Sequence, residues 1–335
     1  MHMRWLSLFA LALPVWVVLT SGIDSNLRGV SVSSENGERQ TAIVWATGSN
    51  GVILRSADAG KTWDRLHIPN GDSLDFRGVQ AFGENIVYLM SSGEGEKSRI
   101  YKTTDTGKTW ELQYSGTRKE FFLDAIACIN STNCFALSDP VHGKFLLLRT
   151  EDGQHWKEIP ADGMPPALPG EGAFAASNSC LLAYGERDLY FVTGGPAARV
   201  FHSEDHGRNW SVAETPLLHG KASAGGFSIA RSGKILVVMG GDYQQPAQSS
   251  RTAAYSNDEG HTWQLAEAPP TGYRSAVMAV GETFAAVGPG GADVSTDASH
   301  WQKAGDLNLN AIAAGAGQIW GVGAKGVVGK NEVMK

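Results

Sequence analysis

The sequence predicts an all-β protein folded as one seven-bladed propeller. Three observations carry that prediction: a turn motif recurring at near-constant spacing, short period-two strands between its copies, and a last unit that keeps the strands but lacks the turn. The motif Ser/Thr-x-Asp-x-Gly-x-x-Trp occurs in full as Ser56 to Trp63, Thr103 to Trp110, Ser203 to Trp210 and Ser256 to Trp263. Shortened copies run from Thr150 to Trp156 and from Ser295 to Trp301. Their aspartates, Asp58, Asp105, Asp152, Asp205, Asp258 and Asp297, are separated by 47, 47, 53, 53 and 39 residues. A four-stranded blade takes about 40–50 residues, so each copy marks one blade.

The chemistry of the motif is that of a tight turn. A short carboxylate accepts hydrogen bonds from the amides of its own turn, and glycine supplies the positive φ. The tryptophan that follows opens the next strand with a large apolar face, so Trp63, Trp110, Trp156, Trp210, Trp263 and Trp301 are expected between blades. The motif resembles the Asp-box (BNR-type) repeat. That resemblance places these turns between the third and fourth strands of each blade, away from the usual binding face. It implies that the six aspartates are scaffold, neither catalytic groups nor metal ligands.

The seventh blade follows from an internal match. Trp45-Ala-Thr-Gly48-Ser-Asn-Gly51-Val52 aligns with Trp320-Gly-Val-Gly323-Ala-Lys-Gly326-Val327, and the chain ends where that unit's turn would begin. Its outer strand must come from elsewhere, with Ser21 to Asn26 the expected source, or be absent. Strands such as Ala42 to Ala46 and Lys144 to Arg149 are β-branched or apolar with period two, and helical periodicity is confined to the N-terminus.

Composition sets the class. The 335 residues are 42% hydrophobic and 19% charged, with 41 glycines, 10 tryptophans and a net charge of −6. That charge argues against nucleic acid or anionic membrane as the main partner, since both select a basic face. Arg4 followed by an apolar run over residues 6–19, then Thr20, Ser21 and Gly22, reads as a leader over residues 1–22, a signal peptide or an N-terminal anchor. The run is too short for a conventional spanning helix. Residues 23–335 form the single propeller domain, expected to be exported to the periplasm or the exterior and to be monomeric. Cys128 and Cys134 flank a hairpin turn, where an exported protein could bridge them or keep two thiols. Cys180 reads as a core residue. Neither metal nor cofactor is expected: there is no C-x-x-C pair, no dinucleotide-binding glycine signature after a strand, and no haem-attachment or flavin signature.

First strands line a propeller's channel, and aligning blades by their turns brings comparable residues to one mouth. These are Arg28, Arg77, Asp124, Glu171, Tyr273 and Arg274, with Asp139, Arg199 and Asp242 on loops of the same face. Such charges are costly to bury unpaired. They form either a ring of arginine–carboxylate pairs knitting blades together or an arginine-lined pocket for an anionic or polar ligand.

Phe122-Leu-Asp-Ala-Ile126, Leu137-Ser-Asp-Pro140, Ala167 to Ser177, Gly240-Gly-Asp-Tyr243 and Gly272-Tyr-Arg-Ser-Ala-Val277 look like a bacterial branch similar to the photosystem II stability/assembly factor family. Members of that branch often carry an oxidoreductase label that no motif here explains. The resemblance implies a non-catalytic scaffold that holds a protein or peptide segment, with a membrane protein as its source, and it directs suspicion to Arg28, Arg77 and Arg274. A sialidase-like hydrolase is the alternative from another class. It would use the same three arginines on a carboxylate, with Tyr273 as nucleophile, Glu171 as base and Asp124 as acid. Against it stand the count of seven blades, the missing Phe/Tyr-Arg-Ile-Pro motif, and strand alternation, which points Tyr273 and Arg274 to opposite faces. A lectin-like or small-ligand binder is the third reading.

Overall fold

The computed structural model describes residues 16–34 and 41–332, and within them the chain forms seven antiparallel sheets in a closed ring. The first blade comprises Leu27–Ser34, Ala42–Gly48, Val52–Ser56 and Asp64–Leu66. The second comprises Asp75–Phe82, Ile86–Ser92, Arg99–Thr103 and Glu111–Ser115, and the third Leu123–Cys128, Cys134–Val141, Lys144–Thr150 and Lys157–Glu158. The fourth, fifth and sixth blades begin with Leu181–Tyr184, Lys221–Ser232 and Ala276–Val280. The fifth gains a two-residue strand, Gly194–Gly195, against its inner strand.

The seventh blade is built from both ends of the chain. Ala311–Gly315, Gln318–Val322 and Val327–Glu332 supply three strands, and Val17–Thr20 pairs antiparallel with the third of these, Val17 opposite Lys330 and Thr20 opposite Val327. The closing strand therefore lies upstream of the expected Ser21 to Asn26. Hydropathy could not separate a leader's apolar run from an edge strand rich in Val and Leu. Ser21 Oγ donates to Gly326 O at 2.6 Å just beyond the strand, fixing the junction. Residues 1–15, the rest of the expected leader, lie outside the described residues.

All six aspartate turns connect third to fourth strands, on the face opposite the starts of the inner strands. In the first, Asp58 Oδ1 accepts from Thr62 N at 2.9 Å and Oδ2 from Thr62 Oγ1 at 2.6 Å, while Ser56 Oγ accepts from Gly60 N at 2.8 Å. Asp105, Asp205 and Asp258 repeat the pattern, and in the shortened turns His155 and His300 stand at the side-chain position. These bonds hold the carboxyls of Asp58, Asp105 and Asp258 down at about 2.

The turns also receive the neighbouring blade. Trp320, Trp45, Tyr88 and Tyr190, each on the second strand of its blade, press against the turn glycines Gly60, Gly107, Gly153 and Gly260 of the next blade. A Cβ on Gly60 would meet Trp320 Cη2 at 2.9 Å, and one on Gly107 would meet Trp45 Cη2 at 3.1 Å. Both glycines also hold φ near +83° to +84°. The motif tryptophans complete the sockets: Trp45 meets Trp110 edge-on at 6.2 Å and Tyr88 meets Trp156 likewise at 6.2 Å. Cys128 and Cys134 are disulfide-bonded across the first hairpin of the third blade, and Cys180 is free and fully buried.

Closure by Val17–Thr20 predicts a sharp boundary for truncation. Removing residues 1–15 should leave the thermal midpoint unchanged within a degree or two. Removing residues 1–22 exposes the seventh blade's edge and should lower the midpoint by roughly 5–10 °C, measurable by differential scanning calorimetry.

Candidate functional site

One local device creates the mouth. In four blades the inner strand slips register by one residue near its start: between Leu27 and Gly29, Phe76 and Gly78, Leu123 and Ala125, and Gly226 and Ser228. The residues in the slips are Arg28, Arg77, Asp124 and Phe227. A bulge re-aims the side chain it carries, and all four line one recessed cavity of about 570 Å³. Below it the inner strands approach too closely for side chains. A Cβ on Gly78 would meet Asn178 Oδ1 and Ile126 Cγ2 at 2.8 Å, and Ser228 Oγ accepts from Val277 N at 2.8 Å across the blade boundary.

Arg77 and Arg28 differ although their positions correspond. Arg77 Nε donates to Asp75 Oδ2 at 2.8 Å and its Nη1 to Ala175 O at 2.8 Å, so it is neutralised and ties the second blade to the loop entering the fourth. Arg28 makes no ion pair among the described residues; its Nε and Nη2 each donate at 3.1 Å to the Asn26 side-chain oxygen once that amide is oriented to satisfy its neighbours. Its guanidinium is destabilised by burial and by Arg77, with partial relief from Asp75. It is a cation held by a neutral amide, with no carboxylate paired to it among the described residues.

Opposite lie the carboxyls. Asp124 is 1% exposed and neither oxygen has a partner, while Asp139 accepts from Ala173 N at 2.9 Å through one oxygen. Burial pushes the Asp139 carboxyl up to about 6, and burial together with Asp139 raises Asp124 further. Aromatic side chains make the remaining wall. Phe174 and Phe227 are stacked at 3.8 Å, Tyr273 meets Phe227 edge-on at 4.8 Å, and half-exposed Tyr243 leans on the stack from the rim. The buried Tyr273 hydroxyl is pushed well above its ordinary range by desolvation.

Four sequence candidates belong elsewhere. Arg274 is 1% exposed and turned from the cavity, donating from Nε to Asp293 Oδ2 at 2.6 Å and from Nη2 to Thr271 Oγ1 at 2.8 Å. Strand alternation gave the cavity to Tyr273 instead. Arg199 and Glu171 pair with each other in the interior, and Arg199 Nη2 also donates to Pro166 O at 3.0 Å, pinning the Pro-rich loop. Asp242 is buried, caps its own turn through Gln244 N at 2.9 Å and reaches Lys221 at 3.3 Å. The sialidase-like constellation is therefore dispersed: of its three arginines one is ion-paired in the interior, and its base is locked to Arg199. Sequence reasoning missed Phe174, Phe227 and Tyr243 as site residues. Phe227 occupies the same inner-strand position as Arg28, Arg77 and Asp124, and that signal could have found it.

The fold and site define a seven-bladed propeller with a closed channel and a polar, aromatic-walled mouth. The family model of the photosynthesis system II assembly factor YCF48 matches residues 18–158. Among solved structures, YCF48 bound to D1 peptide is similar over 96% of this chain and 97% of that chain, with 14% identity and a TM-score of 0.64. YCF48 from Cyanidioschyzon merolae is similar over 95% of this chain and 98% of that one, with 14% identity and a TM-score of 0.63. A catalytically inactive virginiamycin B lyase from Staphylococcus aureus with quinupristin reaches a TM-score of 0.69 at 14% identity, over 96% of this chain and 100% of that chain. At such identity these likenesses show the fold. A 71-residue stretch is 32% identical to vacuolar protein sorting/targeting protein 10 of Colletotrichum graminicola, covering 21% of this chain and 4% of that much longer protein. The chain is thus a propeller resembling the photosystem II assembly factors.

The two kinds of arginine should separate on mutation. Arg274→Ala strands Asp293 in the interior and should cost about 3–5 kcal/mol in chemical denaturation. Arg28→Gln removes no ion pair and should cost less than about 1 kcal/mol.

Stability should also be shaped by the two classes of carboxyl. Asp139 titrates higher folded, at about 6, than the ~3.9 of an unfolded aspartate. The folded state gains protons there, so this group's penalty is full above pH 6 and relieved as pH falls towards 4. The turn aspartates, held at about 2, stabilise above pH 4 and lose that contribution as pH falls towards 2. Asp139→Asn should therefore raise the thermal midpoint by several degrees at pH 7.5, with the advantage vanishing near pH 4.

Proposed function

We propose that this protein is an exported, non-catalytic scaffold that holds a segment of a protein partner in the mouth cavity, Arg28 taking an acidic or carboxylate group of that segment. The carrying observation is Arg28 itself: a cation on a bulge at the floor of an aromatic-walled cavity, without an ion pair among the described residues. A charged group so placed recovers its desolvation cost when a complementary anion arrives. The rest of the mouth supports display over chemistry, since Arg77 and the hydrolase candidates Glu171 and Arg274 are held by bonds within the fold. The likeness to YCF48 solved with a bound D1 peptide supports a peptide as occupant, and a membrane protein as the source of that peptide is part of this proposal.

The test is affinity capture from a membrane extract of the native host with the wild type, Arg28→Gln and Arg28→Lys as baits. A defined membrane protein retained by the wild type, reduced at least tenfold by Arg28→Gln and partly restored by Arg28→Lys, is the expected result. Equal capture by all three baits would overturn the assignment of Arg28. No captured protein, together with binding of a soluble glycan or small molecule, would replace the scaffold by a small-ligand binder.

A further inference from the structure

We infer that Asp124 and Asp139 form a second subsite in the same cavity, which takes a lysine or arginine side chain of the bound segment, so that the mouth selects a bipolar peptide with a basic group near an acidic one. This inference rests on the mouth being a peptide site and specifies what the peptide must carry.

The geometry points to an unmet demand for a cation. Asp124 lines the cavity from its bulge, is 1% exposed, and has no partner on either carboxylate oxygen. A buried carboxyl without partners costs on the order of 1–3 kcal/mol, and the fold answers every other strongly buried carboxylate of this face. Glu171 has Arg199, Asp293 has Arg274, and Asp242 has Lys221. Asp139 stands beside Asp124 with one oxygen anchored by Ala173 N, which leaves the other to the cavity. Arg77 is the nearest cation, but its guanidinium is already engaged by Asp75 and the Ala175 carbonyl.

The occupant is an organic cation. No group of three His, Cys, Asp or Glu that could hold a metal ion occurs among the described residues. Phe174 and Phe227 line the same cavity as the two carboxyls, and aromatic rings attract ammonium and guanidinium groups within about 6 Å of the ring centre. Arg28 and Arg77 lie on the first and second blades and the two carboxyls on the third, so one short segment can address both charges.

The groups facing the pair set a pH dependence. They are Arg77 on the second blade, Cys180 on the fourth, Arg28 and Tyr273 across the cavity, and Glu120 and Glu171 on the adjoining groove. The Cys180 thiol is pushed further up by burial and stays neutral, and burial likewise keeps Tyr273 protonated. Asp139, lifted to about 6 by burial, is then the group whose charge changes near neutrality. A bound cation favours its ionised form, so binding must weaken as pH falls below 6.

The experiment is selection of a phage-displayed random heptapeptide library on the full-length protein at pH 7.5, in parallel on Asp124→Asn, Asp139→Asn and Arg28→Gln. Thermal unfolding first confirms that each variant is folded. The wild type should enrich Lys or Arg at one position and Asp or Glu at another. Asp139→Asn and Asp124→Asn should lose the basic preference while keeping the acidic one, and Arg28→Gln should do the reverse. The best synthetic peptide should bind at least tenfold more weakly to Asp139→Asn, and more weakly to the wild type at pH 5 than at pH 7.5. Enriched peptides without a basic position, or with one that survives both asparagine variants, overturn this inference and leave the peptide-binding reading standing. Failure to enrich any peptide overturns that reading as well.

Discussion

Four junctions of the ring rest on one repeated joint, an aromatic side chain of one blade seated on the turn glycine of the next. Trp320 on Gly60, Trp45 on Gly107, Tyr88 on Gly153 and Tyr190 on Gly260 make this contact, from the seventh blade to the first, the first to the second, the second to the third and the fourth to the fifth. At Gly60 and Gly107 the glycine serves two ends at once, because the turn holds positive φ and the aromatic ring occupies the space of a Cβ. The aspartate's role is to hold that turn in shape, with its bonds to the backbone amide and hydroxyl of the residue four positions on. Trp45 and Trp320 are fully buried by the arrangement, and an aromatic lost from such a site costs about 3–5 kcal/mol. That is a large part of a domain's net stability.

Because the joint lies on the face of the third-to-fourth-strand turns, the opposite face is released from structural duty. The bulges use that freedom. In a regular inner strand, alternate side chains would face the neighbouring blades, and the channel here is too narrow to hold them. A one-residue slip turns Arg28, Arg77, Asp124 and Phe227 into the mouth while glycine, alanine or serine follows in each case. The same small residue lets the blades close beneath. Site and scaffold are thus set by adjacent residues of one strand, with opposite steric demands.

Much of this was legible in the residues. The spacing of Asp58 to Asp297 gave seven blades once the Trp45 and Trp320 stretches were matched, and the flanking of a short turn by Cys128 and Cys134 allowed their bond. Aligning inner-strand starts brought Arg28, Arg77, Asp124 and Tyr273 to one place. What it could not supply was the partner of each charge. Arg274 is held by Asp293, a residue of the next-but-one strand with no motif to mark it, and Arg199 and Glu171 satisfy each other across a loop. The closing strand was hidden for a different reason, since Val17 to Thr20 has the hydropathy of a leader and the pairing capacity of an edge.

The distribution of satisfied and unsatisfied polar groups bears on the two readings that the sequence left open. A self-neutralising ring would pair every arginine of the mouth with a carboxylate, and for Arg77, Arg199 and Arg274 it does. It fails at Arg28, a cation without a carboxylate, and at Asp124, a buried carboxyl without a partner on either oxygen, which face the same cavity without joining each other. Joining them would need only a rotamer change if they were adjacent, but Arg77 stands between the first blade and the third and is locked in place by Asp75 and Ala175. On the proposed reading, the ion-pair ring has a functional consequence. By fixing Arg77 as a spacer, it keeps an anion-seeking and a cation-seeking group apart in one low-dielectric cavity, where either is worth more to a ligand than it would be in water.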